Sequence, residues 1–194
     1  MEDNERTTVM AGYYYKLINR ADERMRIGLT GIYWSYDKDL GDYSLGQGGY
    51  YSPQRYYSLG IPVSYAWRNG DWSVLLEGSV SWSHSRSDDS ERYPLHSLIA
   101  GPLAEINAQS DPATFGTQNF IQDGSTSNDI GYRAHALLER RLTDHLVLGG
   151  GFTLQRSEDY APHHVLLYLR YTFEPWQGNL ALVPSPLIPY GDFK

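Results

Sequence analysis

Between Tyr56 and His84 two runs of alternating apolar and small polar residues meet at Arg68-Asn69-Gly70-Asp71. Asn-Gly between alternating runs marks a hairpin, because both central positions of a type I′ turn need positive φ. A two-residue loop at Asn69-Gly70 sets Trp67 opposite Trp72. One face then carries Tyr57, Leu59, Ile61, Val63, Tyr65 and Trp67 beside Trp72, Val74, Leu76, Gly78, Val80 and Trp82. The other carries Tyr56, Ser58, Gly60, Ser64 and Ala66 beside Ser73, Glu77, Ser79, Ser81 and Ser83. At about 3.3 Å per residue and a tilt near 45°, Trp72 and Trp82 stand roughly 23 Å apart along a membrane normal. That spacing matches the roughly 25 Å apolar band between the aromatic girdles of an outer-membrane barrel.

The same alternation recurs along the chain. Thr7 to Ile18 places Val9, Ala11, Tyr13, Tyr15 and Leu17 outward, against Tyr14 and Lys16 inward. Arg24 to Tyr36 turns Met25, Ile27, Leu29 and Tyr33 outward, with Arg26, Gly28 and Trp34 inward. Asp129 to Leu142 has Ile130, Tyr132, Ala134, Ala136 and Leu138 outward, and Arg133, His135, Glu139 and Arg141 inward. His145 to Ser157 and His163 to Phe173 complete the set, with Phe173 closing the last strand. The pattern predicts an all-β, antiparallel transmembrane barrel of outer-membrane type, represented by about seven strands. Single-chain bacterial barrels use even strand numbers from eight upward, so seven are read as a fragment whose first and last strands pair with missing neighbours, in preference to a unit that completes itself by oligomerising.

Connections alternate in length, apart from a short one at Glu158 to Pro162. They are short at Asn19 to Glu23, Arg68 to Asp71 and Thr143 to His145, and long over about 37–54 and 85–128, which assigns the long ones to the extracellular side. Residues 1–174 form the barrel unit, and 175–194 a proline-rich tail unsuited to another strand. The outward charges, Arg55, Arg140 and Arg156, fall near strand ends, where a long stem reaches water. Two features fit poorly: Pro62 predicts a bulge or local break, and Leu75, Leu137 and Leu166 point inward, where they are expected to pack under a folded-in loop or tail. The tail is expected to turn back and cover Leu166 or its neighbours.

Composition changes the picture in a few places. The 194 residues carry net charge −7, which disfavours nucleic acid as a partner, and no cysteine, which removes disulfides and thiolate chemistry. No apolar run is long enough for a membrane helix, whereas barrel strands hide half their residues from lipid. The 17 tyrosines and five tryptophans suit an interface, with Tyr57, Trp67, Trp72, Trp82, Tyr171 and Phe173 as the expected membrane girdle. Met1 is followed by acidic residues, so an export signal is expected upstream.

Candidate chemistry is thin. Ser83 and His84 are adjacent on a strand and point to opposite faces, so with Asp88 they do not build a hydrolase triad. His163 and His164 diverge for the same reason and lack a third metal ligand. Gly149-Gly150-Gly151 lacks the Lys-Ser/Thr of a phosphate loop. The expectation is no catalysis, no metal and no cofactor.

Gly48-Gly49-Tyr50-Tyr51-Ser52-Pro53-Gln54 resembles the C-terminal outer-membrane β-barrel domain of the cellulose export porin family, the outer-membrane component of bacterial cellulose synthase. So do Trp82-Ser83-His84-Ser85-Arg86, Arg92-Tyr93-Pro94-Leu95, Asp159-Tyr160-Ala161-Pro162, Trp176-Gln177-Gly178 and Pro186-Leu187-Ile188-Pro189-Tyr190. The resemblance implies an outer-membrane porin that exports nascent cellulose, a β-1,4-glucan, during cellulose biosynthesis and biofilm formation. It also implies partners: the cellulose chain, outer-membrane lipid and lipopolysaccharide, the missing N-terminal strands, a periplasmic tetratricopeptide region and, indirectly, the inner-membrane synthase complex. The inward residues Tyr14, Lys16, Trp34, Tyr56, Glu77, Arg133, His135, Glu139, Tyr168 and Arg170 are then the expected glucan contacts, or charge pairs bracing the wall. A general porin, an outer-membrane hydrolase and a soluble β-sandwich are the competing readings. They predict, in turn, conductance without glucan dependence, a Ser-His pair at one rim, and purification without detergent.

Overall fold

The computed structural model describes residues 4–41, 48–91, 101–102, 104–105, 108, 121–157 and 161–186. In chain order its strands are β1 (Arg6–Asn19), β2 (Glu23–Tyr36), β3 (Arg55–Asn69), β4 (Trp72–Ser87), β5 (Ser90–Glu91), β6 (Ile121–Gln122), β7 (Ser125–Thr143), β8 (Leu146–Arg156) and β9 (His163–Tyr171). Seven of them form one antiparallel sheet in the spatial order β1-β2-β3-β4-β7-β8-β9. The short β5 and β6 pair as a separate ladder inside the long loop expected over 85–128. Among the described residues the sheet does not close, and β1 and β9 are its edges.

The chain divides into two compact units. One comprises Met1–Met10, Ile32–Ser58 and Ser83–Asn128, and holds the long connections. The other comprises Ala11–Gly31, Leu59–Trp82 and Asp129–Lys194, and holds the tight turns.

Within the second unit, alternation sorts the side chains. Leu59, Ile61, Leu76, Val80, Ile130, Leu138, Leu148, Phe152, Val165, Leu167 and Leu169 are exposed. Ala66, Ser73, Leu75, Leu137, Glu139 and Val147, on the intervening positions, are buried. These are the two faces expected from the sequence.

The hairpin register differs from the expectation by two residues. Asn69 is the last residue of β3 and Trp72 the first of β4, so the turn is Gly70-Asp71, with Gly70 at φ +55°. Tyr57 stacks on His84 and a Cβ on Gly60 would lie 3.6 Å from the Ser81 Cβ, both consistent with the shifted pairing. Glycine enters the left-handed region without steric penalty, so one glycine suffices once the turn moves along by a residue. A shift of two preserves side-chain parity, which is why both faces survive it.

Two smaller expectations change, at Pro62 and at Phe173. β3 runs unbroken through Pro62, whose ring lines a groove instead of interrupting the strand. The turn after β7 is Asp144-His145, stabilised by the His145 N–H donating to Thr143 Oγ1 at 3.2 Å. β9 stops at Tyr171, so Phe173 follows the strand instead of ending it, its ring edge-on to Tyr171 at 5.5 Å. The motifs at 92–95, at 159–160 and at 187–190, and most of loop 85–128, lie outside the described residues.

Candidate functional site

The second unit builds its polar face around Glu139. The cross-strand register aligns Glu139 with Gly149 and Gly149 with Tyr168, so three adjacent strands contribute one row. Gly149 has no side chain, and the Tyr168 ring occupies the space a Cβ would take. Across it the Tyr168 hydroxyl donates to Glu139 Oε1 at 2.7 Å. Arg170, two residues on, donates from both terminal nitrogens to the two carboxylate oxygens at 3.1 Å each. Glu139 is completely buried. A buried carboxylate is tolerated only when paired and hydrogen-bonded, and the bidentate guanidinium supplies both.

Further along β7, His135 Nδ1 lies 3.4 Å from Glu77 Oε2. Nearby, Tyr14, Arg26, Pro62, Ser64, Glu77, Ser79 and Arg133 line an open groove of about 200 Å³. The Tyr14 ring covers Gly28 as Tyr168 covers Gly149, and the Arg26 guanidinium stands 6.0 Å from its centroid. Lys16 is exposed.

The tail of the same unit docks on the buried face. The Arg141 terminal nitrogens donate to the carbonyls of Trp176, at 2.9 Å, and of Gly178, and the guanidinium lies 5.1 Å from the Trp176 ring. Arg68 donates to the Leu180 carbonyl at 3.1 Å and Ser73 to that of Ala181 at 2.6 Å. Leu180 is fully buried, and Leu182 packs on the cluster of Ala66, Leu75 and Leu137. The tail thus covers Leu75 and Leu137, two of the three inward leucines expected to pack under a folded-in loop or tail, with Leu182 as the residue in contact.

In the first unit, Trp34 and Tyr56 stack with centroids 3.8 Å apart and planes 8° from parallel, and Tyr51 meets Tyr56 edge-on. The glycine-tyrosine motif beneath forms a clasp. The Gly48 and Gly49 N–H groups both donate to the Leu40 carbonyl at 3.0 Å, with Gly49 at φ +66°. Ser52 Oγ, buried, accepts from the Leu40 N–H at 2.7 Å and donates to Asp39 at 3.2 Å. Gln54 Oε1 accepts from the Asp88 N–H at 2.8 Å.

Among the expected girdle residues, Tyr57 stacks on His84, Trp72 lies under the Arg140 guanidinium at 4.8 Å, and Trp82, Tyr171 and Phe173 are exposed. Trp67 is partly covered. His84 Nδ1 is 2.8 Å from Asn128 Oδ1, and Asp88 accepts from Arg86, so neither is presented to Ser83 as a triad member. No group of three potential metal ligands occurs among the described residues.

Residues 1–174 match the family model described as the cellulose synthase operon protein C C-terminus. The chain is 49% identical over 193 residues to the cellulose synthase operon protein C of Escherichia coli K12, covering all of this chain and 16% of that protein. The protein of that name in Salmonella typhimurium is 47% identical, with the same coverage. That of Pseudomonas fluorescens is 31% identical over 98% of this chain and 14% of its own length.

Proposed function

The chain belongs to the cellulose synthase operon protein C C-terminal family, and from that premise we propose that it is part of an outer-membrane channel for nascent cellulose. The chain spans only about a sixth of the E. coli and Salmonella relatives, so the activity and partners proposed are those of a longer assembly. In this reading β1 and β9 pair with strands supplied by the rest of that assembly, which would satisfy the backbone groups an open edge leaves unpaired.

The observation that carries the proposal is the alternation along β3, β4, β7 and β8 within the second unit, where apolar side chains are exposed on one face and the intervening positions, Ser73 and Glu139 among them, are buried. In the second unit, exposed Leu, Ile, Val and Phe side chains extend over all of its strands. An apolar surface of that extent marks a membrane or protein interface, and alternation with a polar opposite face is the pattern of a barrel strand. Arg140, charged and on the exposed face, lies over Trp72 at a strand end, where its stem reaches the headgroup layer.

The polar face suits an uncharged polymer. A glucan chain offers apolar CH faces and hydroxyl rims, so a wall of aromatic faces and hydrogen-bonding groups gives repeated weak contacts and no deep well, as conduction requires. The Trp34-Tyr56 stack and the groove at Tyr14, Glu77 and Arg133 offer such contacts. Glu139, Tyr168 and Arg170 satisfy one another and brace the wall instead.

In the complete protein, Trp34→Ala with Tyr56→Ala lowers secreted cellulose while leaving the amount of folded barrel unchanged. Normal secretion from that variant contradicts glucan contact at the stack. Ion conductance that is indifferent to added cello-oligosaccharide favours a general porin.

A further inference from the structure

The hairpin register continues to the far ends of β3 and β4, where it sets two arginine positions opposite one another. Tyr57 stacks on His84 with ring centroids 4.8 Å apart, and two residues on along each strand stand Arg55 and Arg86. Both arginines are exposed, and directly opposed like charges on one sheet face repel. Arg86 is partly offset: its Nε donates to Asp88 Oδ1 at 3.1 Å, a bond that does not use the terminal nitrogens. His84 Nδ1 also lies 2.8 Å from Asn128 Oδ1, so the aromatic pair next along the strands from the two arginines is held in place.

We propose that Arg55 and Arg86 bind a phosphate group of an outer-leaflet glycolipid. This rests on the membrane placement proposed above, in which this end of β3 and β4 reaches the extracellular side. A phosphate accepts parallel hydrogen bonds from a guanidinium fork and cancels the repulsion between two of them. Aromatic rings next to it belong at headgroup depth, where an apolar body and a polar edge are both satisfied. The outer leaflet supplies phosphorylated glycolipid at high local concentration, whereas an isolated exposed arginine pair holds free phosphate weakly in salt.

The test is native mass spectrometry of the complete detergent-purified protein with bisphosphorylated lipid A, its dephosphorylated counterpart, or inorganic phosphate. Wild type retains lipid A at least about tenfold better than the dephosphorylated lipid and retains no inorganic phosphate. The double variant Arg55→Gln, Arg86→Gln loses that preference, Arg55→Lys with Arg86→Lys keeps part of it, and Arg140→Gln keeps all of it. Equal retention of both lipids by wild type, or an undiminished preference in the double glutamine variant, overturns the site. Retention of inorganic phosphate alone, matching lipid A, overturns the glycolipid assignment. A protein that stays soluble and folded without detergent contradicts the membrane reading itself. A detergent-dependent, heat-modifiable barrel without the lipid preference contradicts only this inference.

Discussion

Tyr168 and Glu139 sit on strands that are not neighbours, yet the phenol donates to the carboxylate at 2.7 Å across the bare backbone of Gly149. The bond exists because the strand between them contributes no side chain at that row. A side chain at position 149 must displace the Tyr168 ring, and with it the hydroxyl that reaches Glu139. Gly149→Val therefore lowers unfolding stability in detergent by about 1–3 kcal/mol, the range for forced overpacking. Urea titration of the folded barrel checks this, and an unchanged midpoint contradicts it.

Glu139 and Arg170 form a pair whose acid is wholly buried and whose guanidinium is 35% exposed. Arg170→Ala leaves a buried carboxylate with only the tyrosine hydroxyl, a loss expected near the lower end of about 3–5 kcal/mol because water reaches the vacated side. Glu139→Gln with Arg170→Ala recovers part of that loss. A double-mutant cycle on the same titration measures the coupling, and strict additivity contradicts the pairing argument.

Among the described residues, the tail is held through its carbonyl acceptors and by Leu180 and Leu182. Arg141→Met removes the donors to Trp176 and Gly178, and deletion of residues 176–194 removes the cover over Leu75 and Leu137. In the proposed channel the deletion raises single-channel conductance, and Arg141→Met increases its fluctuation between levels. Planar-bilayer recordings that match wild type for both contradict a tail lodged in the conducting path.

Leu76 is exposed between Trp72 and Trp82 on one strand. With lipid against it, Leu76→Arg costs about 2–4 kcal/mol near the bilayer midplane, whereas Arg140→Ala at the strand end changes stability little. The difference is read from the yield of heat-modifiable barrel refolded into vesicles, and equal yields contradict the depth assignment.

The strands and their faces were legible because alternation depends only on local parity, which a register slip of two leaves intact. The hairpin's pairing was not, since Asn-Gly names a turn but not which two residues leave the ladder; Asp71 took the place assigned to Asn69. Leu75 and Leu137 signalled the docked tail, being apolar on a polar face. The burial of Glu139 depends on a glycine one strand away and a tyrosine two strands away, so no single segment announces it. A glycine in one strand facing an aromatic in the next is the signal that would find such a row, and Gly28 with Tyr14 repeats it.

Spin labels decide which face of the sheet meets lipid, placed singly at Ile61 and Leu76 on one side and at Ser64 and Ser79 on the other, in the complete protein in lipid vesicles. Labels at Ile61 and Leu76 should relax with oxygen and ignore a water-soluble nickel chelate, while those at Ser64 and Ser79 show the reverse. Nickel access at Ile61 and Leu76, with oxygen-dominated relaxation at the two serines, would contradict the account.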